Sequence, residues 1–231
     1  MLPGLSPAEP RLEGPWIWRA INASAWRSVM IVVCLDLEGV LAPEIWVEFA
    51  KRVGVEELKL TTRDEPDYDK LMRHRLALLE RNALRLPDIQ RVVDSLGPLP
   101  GARAFLGELR THYQVAILSD TYYELAMPIM RQLDWPTLFC HHLETDASGR
   151  IVGYRLRMKD QKRAAVAALR ALNFGTIAVG DSYNDITMLQ QAHAGVFYRP
   201  PANVIKEFPQ FRVAADYVEL RTAIDEAAAK I

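Results

Sequence analysis

The chain has 231 residues, half of them apolar and a quarter charged, with a formal net charge of −1. That length exceeds one ordinary domain and suits a single core carrying an inserted subdomain. The near-neutral charge implies no broad attraction to nucleic acid, and no stretch approaches the about 20 apolar residues that a membrane span requires.

Cys34 and Cys140 are far apart and form no C-x-x-C pair, which fits a reduced, cytoplasmic setting. Residues 1–29 carry prolines at 3, 7, 10 and 15, and Glu9, Glu13 and Arg19 interrupt any apolar run, so they do not read as a targeting signal. Three of the five tryptophans (Trp16, Trp18 and Trp26) lie there all the same. The segment reads as an upstream extension, with the working chain beginning near Met30.

From Ile31 the run I-V-V-C-L is short, apolar and β-branched, as expected of a strand buried on both faces. Segment 43–97 differs: Ile45, Phe49 and Val53 fall on one helical face, and Leu71, Met72, Leu76 and Leu79 on another. Pro87 and Asp88 open a further helix that ends near Leu96. This run of helices predicts a cap inserted after the first strand, leaving 30–42 and 98–231 to form the core. Further strands are expected at 115–119, 176–180 and, more weakly, 194–197. Helices are expected at 102–111, 122–133, 161–172 and 184–192, with a small hairpin around Gly149. Strands alternating with helices predict an α/β fold with a doubly wound, mostly parallel sheet. Ligands of such a fold gather at the carboxyl ends of the strands.

Those ends carry one kind of chemistry. The first strand ends in Asp36-Leu-Glu38-Gly-Val, the second in Ser119-Asp120-Thr121, and the third in Gly180-Asp181-Ser182-Tyr183-Asn184-Asp185. Lys159 precedes the helix leading into the third. A carboxylate attacking a phosphate needs its charge neutralised, and further carboxylates can hold Mg²⁺ for that purpose. Ser119, backbone N–H groups and Lys159 could donate to the transferring oxygens. Glu38, two residues beyond Asp36, could serve as the acid/base. Singly, Asp36 or Ser119-Asp120 could be helix caps and Lys159 a solvated lysine; the specificity lies in the set. Cys140-His141-His142 suggests metal ligands, but neighbours on a strand face opposite ways, so a structural role is expected. Trp46 and Phe49 read as packing residues rather than a stacking platform.

The D-x-[DE]-G-[TV] segment, the strand-end serine, the lysine and G-D-S-x-N-D resemble the haloacid dehalogenase-like phosphatases from Met30 onward. The stretches L-D-L-E-G-V-L-A-P-E-I-W, T-T-R-D-x-P-D-Y-D and A-G-D-S-Y-N-D are similar to phosphoserine phosphatases, above all to the subgroup that also transfers phosphate to homoserine. The resemblance implies a Mg²⁺-dependent phosphoserine phosphatase, with homoserine as a possible acceptor. Asp36 would be nucleophile and metal ligand. Glu38 would ligate through its backbone carbonyl and act as acid/base through its side chain. Asp181 would be a further ligand, with Asp185 supporting the metal shell. Ser119, Lys159 and Asn184 would hold phosphate. Lys162 rivals Lys159, whose spacing to the acidic loop matches the family better. Glu44 and Arg73 match positions that take the amino and carboxylate groups of phosphoserine. Most relatives have Asp where this chain has Glu38. The competing readings are a capped phosphatase for another small phosphate ester and a phosphoacceptor signalling domain, which needs neither the helical insertion nor the acidic loop.

Overall fold

The computed structural model describes residues 29–231 apart from 62, 63 and 66. The extension expected over 1–29 therefore lies, Val29 aside, outside the described residues. The strands are β1 (Ile31–Leu35), β2 (Gln114–Tyr122), β3 (Thr137–Thr145), β4 (Ile151–Arg155), β5 (Gly175–Gly180), β6 (Ala194–Tyr198) and β7 (Arg212–Ala214). They form one sheet in the order β4-β3-β2-β1-β5-β6-β7. All neighbours run parallel except β3 and β4, which form an antiparallel hairpin.

Residues alternate across this sheet as the two-residue period of a strand demands. Val33, Leu35, Ile117, Ile177 and Val179 face one side, where they meet helices α1 (Ile45–Val53), α4 (Ala102–His112), α5 (Tyr123–Gln132) and α9 (Tyr217–Ala228). Val32, Cys34, Leu118, Ala178 and Phe197 face the other, against α6 (Gln161–Ala171), α7 (Ile186–Gln191) and α8 (Ala202–Glu207). Each such side chain contributes about 1.5–3 kcal/mol when fully buried, so both faces hold the sheet. The fold is the doubly wound sheet expected.

Between β1 and β2 the remaining helices are α2 (Tyr68–Arg81) and α3 (Leu86–Leu96), joined to α1 by a short 3₁₀ turn, Glu56–Lys59. Gly54 ends α1 in the left-handed conformation, its N–H donating to Ala50 O at 2.9 Å. Asp67 caps α2 by accepting from Lys70 N at 3.0 Å. Pro87 stands in the first turn of α3, where its missing N–H costs nothing. Among the contacts that tie this insertion to the sheet and its hairpin, Tyr68 and Tyr122 share a hydroxyl hydrogen bond of 2.7 Å, and Leu86 N donates to Gly149 O at 2.9 Å.

Leu35 at the end of β1 lies opposite Ile117 on one side and Val179 on the other. From β1 the chain winds outward to β2 and β3, then returns and winds the other way through β5, β6 and β7. The reversal leaves a crevice beyond the carboxyl ends of β1, β2 and β5.

Candidate active site

Asp36 is the first residue past β1, pinned by its N–H to Val179 O at 2.9 Å. Its side chain is buried; Oδ1 accepts from Leu37 N at 2.7 Å and Oδ2 lies 2.8 Å from Lys162 Nζ. The loop then folds tightly, with Gly39 N donating to Ala42 O at 2.8 Å. Gly39 has φ +78°, and a Cβ there would fall 2.5 Å from the Asp181 carboxylate. No other residue fits that cradle. Glu38 Oε1 reaches back to Ile45 N, at the start of α1, at 3.4 Å. Burial, and then the negative charge of Glu44, push the Glu38 carboxyl up to about 8. At neutral pH it therefore holds a proton.

In β2 the pairing with β3 shifts between Leu118 and Tyr122, and this irregularity presents Ser119. Ser119 Oγ accepts from Thr121 N at 3.3 Å, so its own proton is free to be donated. Asp120 turns towards Lys162 Nζ (3.5 Å), His141 Nε2 (3.7 Å) and Asn184 Nδ2 (3.3 Å). Burial raises its carboxyl, but those neighbours outweigh burial and hold it well below the ordinary range.

Past β5, Asp185 fixes the acidic loop: its Oδ2 accepts from Asp181 N at 3.0 Å and Ser182 N at 3.2 Å, while its Oδ1 lies 2.8 Å from Lys162 Nζ. Burial alone would discharge Lys162, yet Asp185, Asp36 and Asp120 more than offset it and keep the ammonium protonated. Asp36 is pushed well above the carboxylate range by burial and then by Asp185, with Lys162 opposing. The carboxylates of Asp36, Asp181 and Asp185 come within 4.8 Å of one another. They are hard oxygen donors, a set that suits a divalent cation, and such an ion would add to Lys162 in drawing Asp36 back to its carboxylate form. The Glu38 side chain is not part of this cluster.

The insertion contributes to the same cavity: Glu44, Trp46, Thr61, Tyr68, Leu71 and Arg75 line it together with Asp36, Glu38, Ser119 and Lys162. Two expected residues stand elsewhere. Lys159 is exposed: it precedes the turn at Asp160, and only from Gln161 and Lys162 does α6 face the sheet. Lys162 is the lysine brought to Asp36. Arg73 is likewise exposed on α2, whereas Arg75 is buried in the cavity wall. At about 100° per residue, positions two apart fall on nearly opposite faces of a helix. The signal for Arg75 was available: it lies four residues after Leu71 and four before Leu79, both buried. Asp120 carries no site role in the sequence, where it reads only as part of a strand end or a helix cap with Ser119, and neither does Tyr68, which lies within a motif stretch. His141 and His142 face opposite ways, towards Asp120 and Glu124, as expected for neighbours on a strand.

The sequence model for haloacid dehalogenase-like hydrolases matches residues 30–193. The chain belongs to this family. Among haloacid dehalogenase-like relatives, it is 54% identical over 201 residues to phosphoserine phosphatase ThrH of Pseudomonas aeruginosa, covering 87% of this chain and 98% of that one. It is 51% identical over 213 residues to a phosphoserine phosphatase of Pseudomonas syringae, covering 92% and 88%. A solved substrate-bound phosphoserine phosphatase complex shares the fold with a TM-score of 0.67 at 20% identity, covering 84% and 97%.

Proposed function

We propose that this protein hydrolyses phosphoserine with Mg²⁺ through an aspartyl-phosphate on Asp36. One observation carries the reading: a single cavity is lined by Asp36, Ser119 and Lys162 from the core and by Glu44 and Arg75 from the insertion. The first group suits a phosphoryl group, and the second an ammonium and a carboxylate on the same small molecule. The two Pseudomonas relatives, both phosphoserine phosphatases, support the same substrate.

Asp36 attacks phosphorus through a carboxylate oxygen while Glu38 gives its proton to the departing serine oxygen, leaving phospho-Asp36 and a Glu38 carboxylate. Glu38 then takes a proton from water, the hydroxide attacks phosphorus, and phosphate leaves with Asp36 restored. Lys162 and the Ser119 hydroxyl hold the peripheral oxygens, and Asn184, anchored to Asp120, stands at their edge. Asp36, Asp181 and the Glu38 carbonyl would hold the metal, with Asp185 behind them; when bound, Mg²⁺ neutralises the charge that builds on the transferring group. Arg75 rather than Arg73 takes the substrate carboxylate, and Glu44 the ammonium.

Transfer to homoserine belongs to the same reading. Homoserine presents the same ammonium and carboxylate with one more methylene, and a deprotonated Glu38 serves an alcohol as it serves water. A methylene shifts preference by only about 1–3 kcal/mol, so partition between acceptors is expected. The cytoplasmic setting remains part of this reading. A screen of phosphate esters with Mg²⁺ tests it. Phosphoserine should give the highest kcat/KM, and a screen in which another ester turns over while phosphoserine does not would refute the assignment.

A further inference from the structure

Arg75 is a charged side chain 94% removed from solvent by its 6% exposure, and it has no carboxylate within ion-pair distance among the described residues. Its tethers are few. One Nη donates to Leu60 O at 2.9 Å, the other approaches the Met72 sulfur at 3.8 Å, and Nε has no hydrogen-bond partner. What covers the guanidinium instead is Trp46, whose ring centroid lies 4.5 Å from Arg75 Cζ. Trp46 is itself buried and braced at 6.4 Å by the edge of Phe49. A desolvated guanidinium on an indole face is attracted by the ring quadrupole, and the planar stack also fixes its tilt.

We propose that Trp46 is the specificity-determining positioning residue of this cavity. Its indole fixes the plane of the Arg75 guanidinium in the cavity wall, so that N–H groups not spent on Leu60 and Met72 meet the substrate's carboxylate and the enzyme prefers phosphate esters bearing one. The inference rests on the reading that Arg75 receives that carboxylate. Two tethers at one end of a flexible side chain leave its orientation open; the indole face closes it. Trp46 contacts Arg75 rather than the reacting atoms, so its loss acts on recognition and leaves the phosphoryl chemistry intact.

The test compares phosphoserine with O-phosphoethanolamine, which keeps the phosphate and ammonium and lacks only the carboxylate. Trp46→Leu should raise KM for phosphoserine about tenfold, the size of a buried cation–π contact, with kcat within about threefold. The loss of kcat/KM on phosphoethanolamine should be severalfold smaller than on phosphoserine, and Trp46→Phe, which keeps a ring, should recover part of the difference. Equal losses on both substrates, or no loss on either, would overturn the inference, and because each variant serves as its own control a partly unfolded preparation cannot mimic the predicted pattern. Arg75→Met separates the two claims. If it leaves the preference for phosphoserine intact, the carboxylate reading fails and Trp46 falls with it. If it abolishes the preference while Trp46→Leu does not, only the role of Trp46 is wrong.

Discussion

Lys162 Nζ lies 2.8 Å from both Asp36 and Asp185 and 3.5 Å from Asp120, with almost no exposure. Removing one partner of a buried ionic group leaves the others uncompensated, at about 3–5 kcal/mol. Lys162→Met should therefore lower unfolding free energy by about that amount in urea titrations and cut kcat by about 10²-fold or more, because the N–H donor proposed for the phosphoryl oxygens is lost as well. Lys159→Met, changing an exposed side chain, should alter stability by less than about 0.5 kcal/mol and leave kcat unchanged. Matching effects at the two positions would refute the assignment of the phosphate-holding lysine. Glu38 is read as a proton carrier, with its carboxyl raised to about 8 by burial and by Glu44. Glu38→Gln keeps the shape but cannot exchange the proton, so kcat should fall by about 10²–10⁴-fold in steady-state assays. Retention of most of the rate would point to a different acid.

On α2, Arg73 and Arg75 differ by about 200° around the axis. Arg73→Ala should leave KM for phosphoserine within about twofold. Arg75→Ala should raise it by more than about tenfold, the scale of a charge-assisted hydrogen bond. This helix also shows what the sequence could and could not reveal. Leu71, Met72, Leu76 and Leu79 mark the buried stripe, and the helix falls where that period places it. The period assigns Arg75 to the inner face, whereas the likeness to phosphoserine phosphatases points to Arg73. The same happened before α6, where spacing to the acidic loop favoured Lys159 although the first helical turn begins two residues later. The central strands were legible because I-V-V-C-L and T-I-A-V-G are unbroken apolar runs. β3 was only partly legible, since its run is interrupted by His141 and His142, whose partners Asp120 and Glu124 come from elsewhere in the chain. β7, at three residues, is too short to register as a pattern.

At the scale of the molecule, one crevice collects carboxylates from β1 and β5, a serine from β2, a lysine from α6 and an arginine from the insertion between β1 and β2. Folding creates the metal site, so metal should stabilise the folded state by mass action, about 2.7 kcal/mol at a hundredfold excess over Kd. For a chain of this length that is a rise in Tm of about 5–10 °C. Asp181→Asn should shrink that Mg²⁺-dependent rise to near zero while remaining folded without metal. An undiminished rise would place the ion elsewhere. The central claim is that phosphate passes through a covalent bond to Asp36. The most direct measurement mixes enzyme with ³²P-phosphoserine and Mg²⁺, quenches in acid within milliseconds, and maps the labelled peptide. The account predicts base-labile label on the peptide containing Asp36, formed and lost at rates compatible with kcat and absent from Asp36→Asn, which should also lose activity by several orders of magnitude. Full turnover with no protein-bound label at any quench time, together with an Asp36→Asn variant that keeps more than about a tenth of the activity, would contradict it.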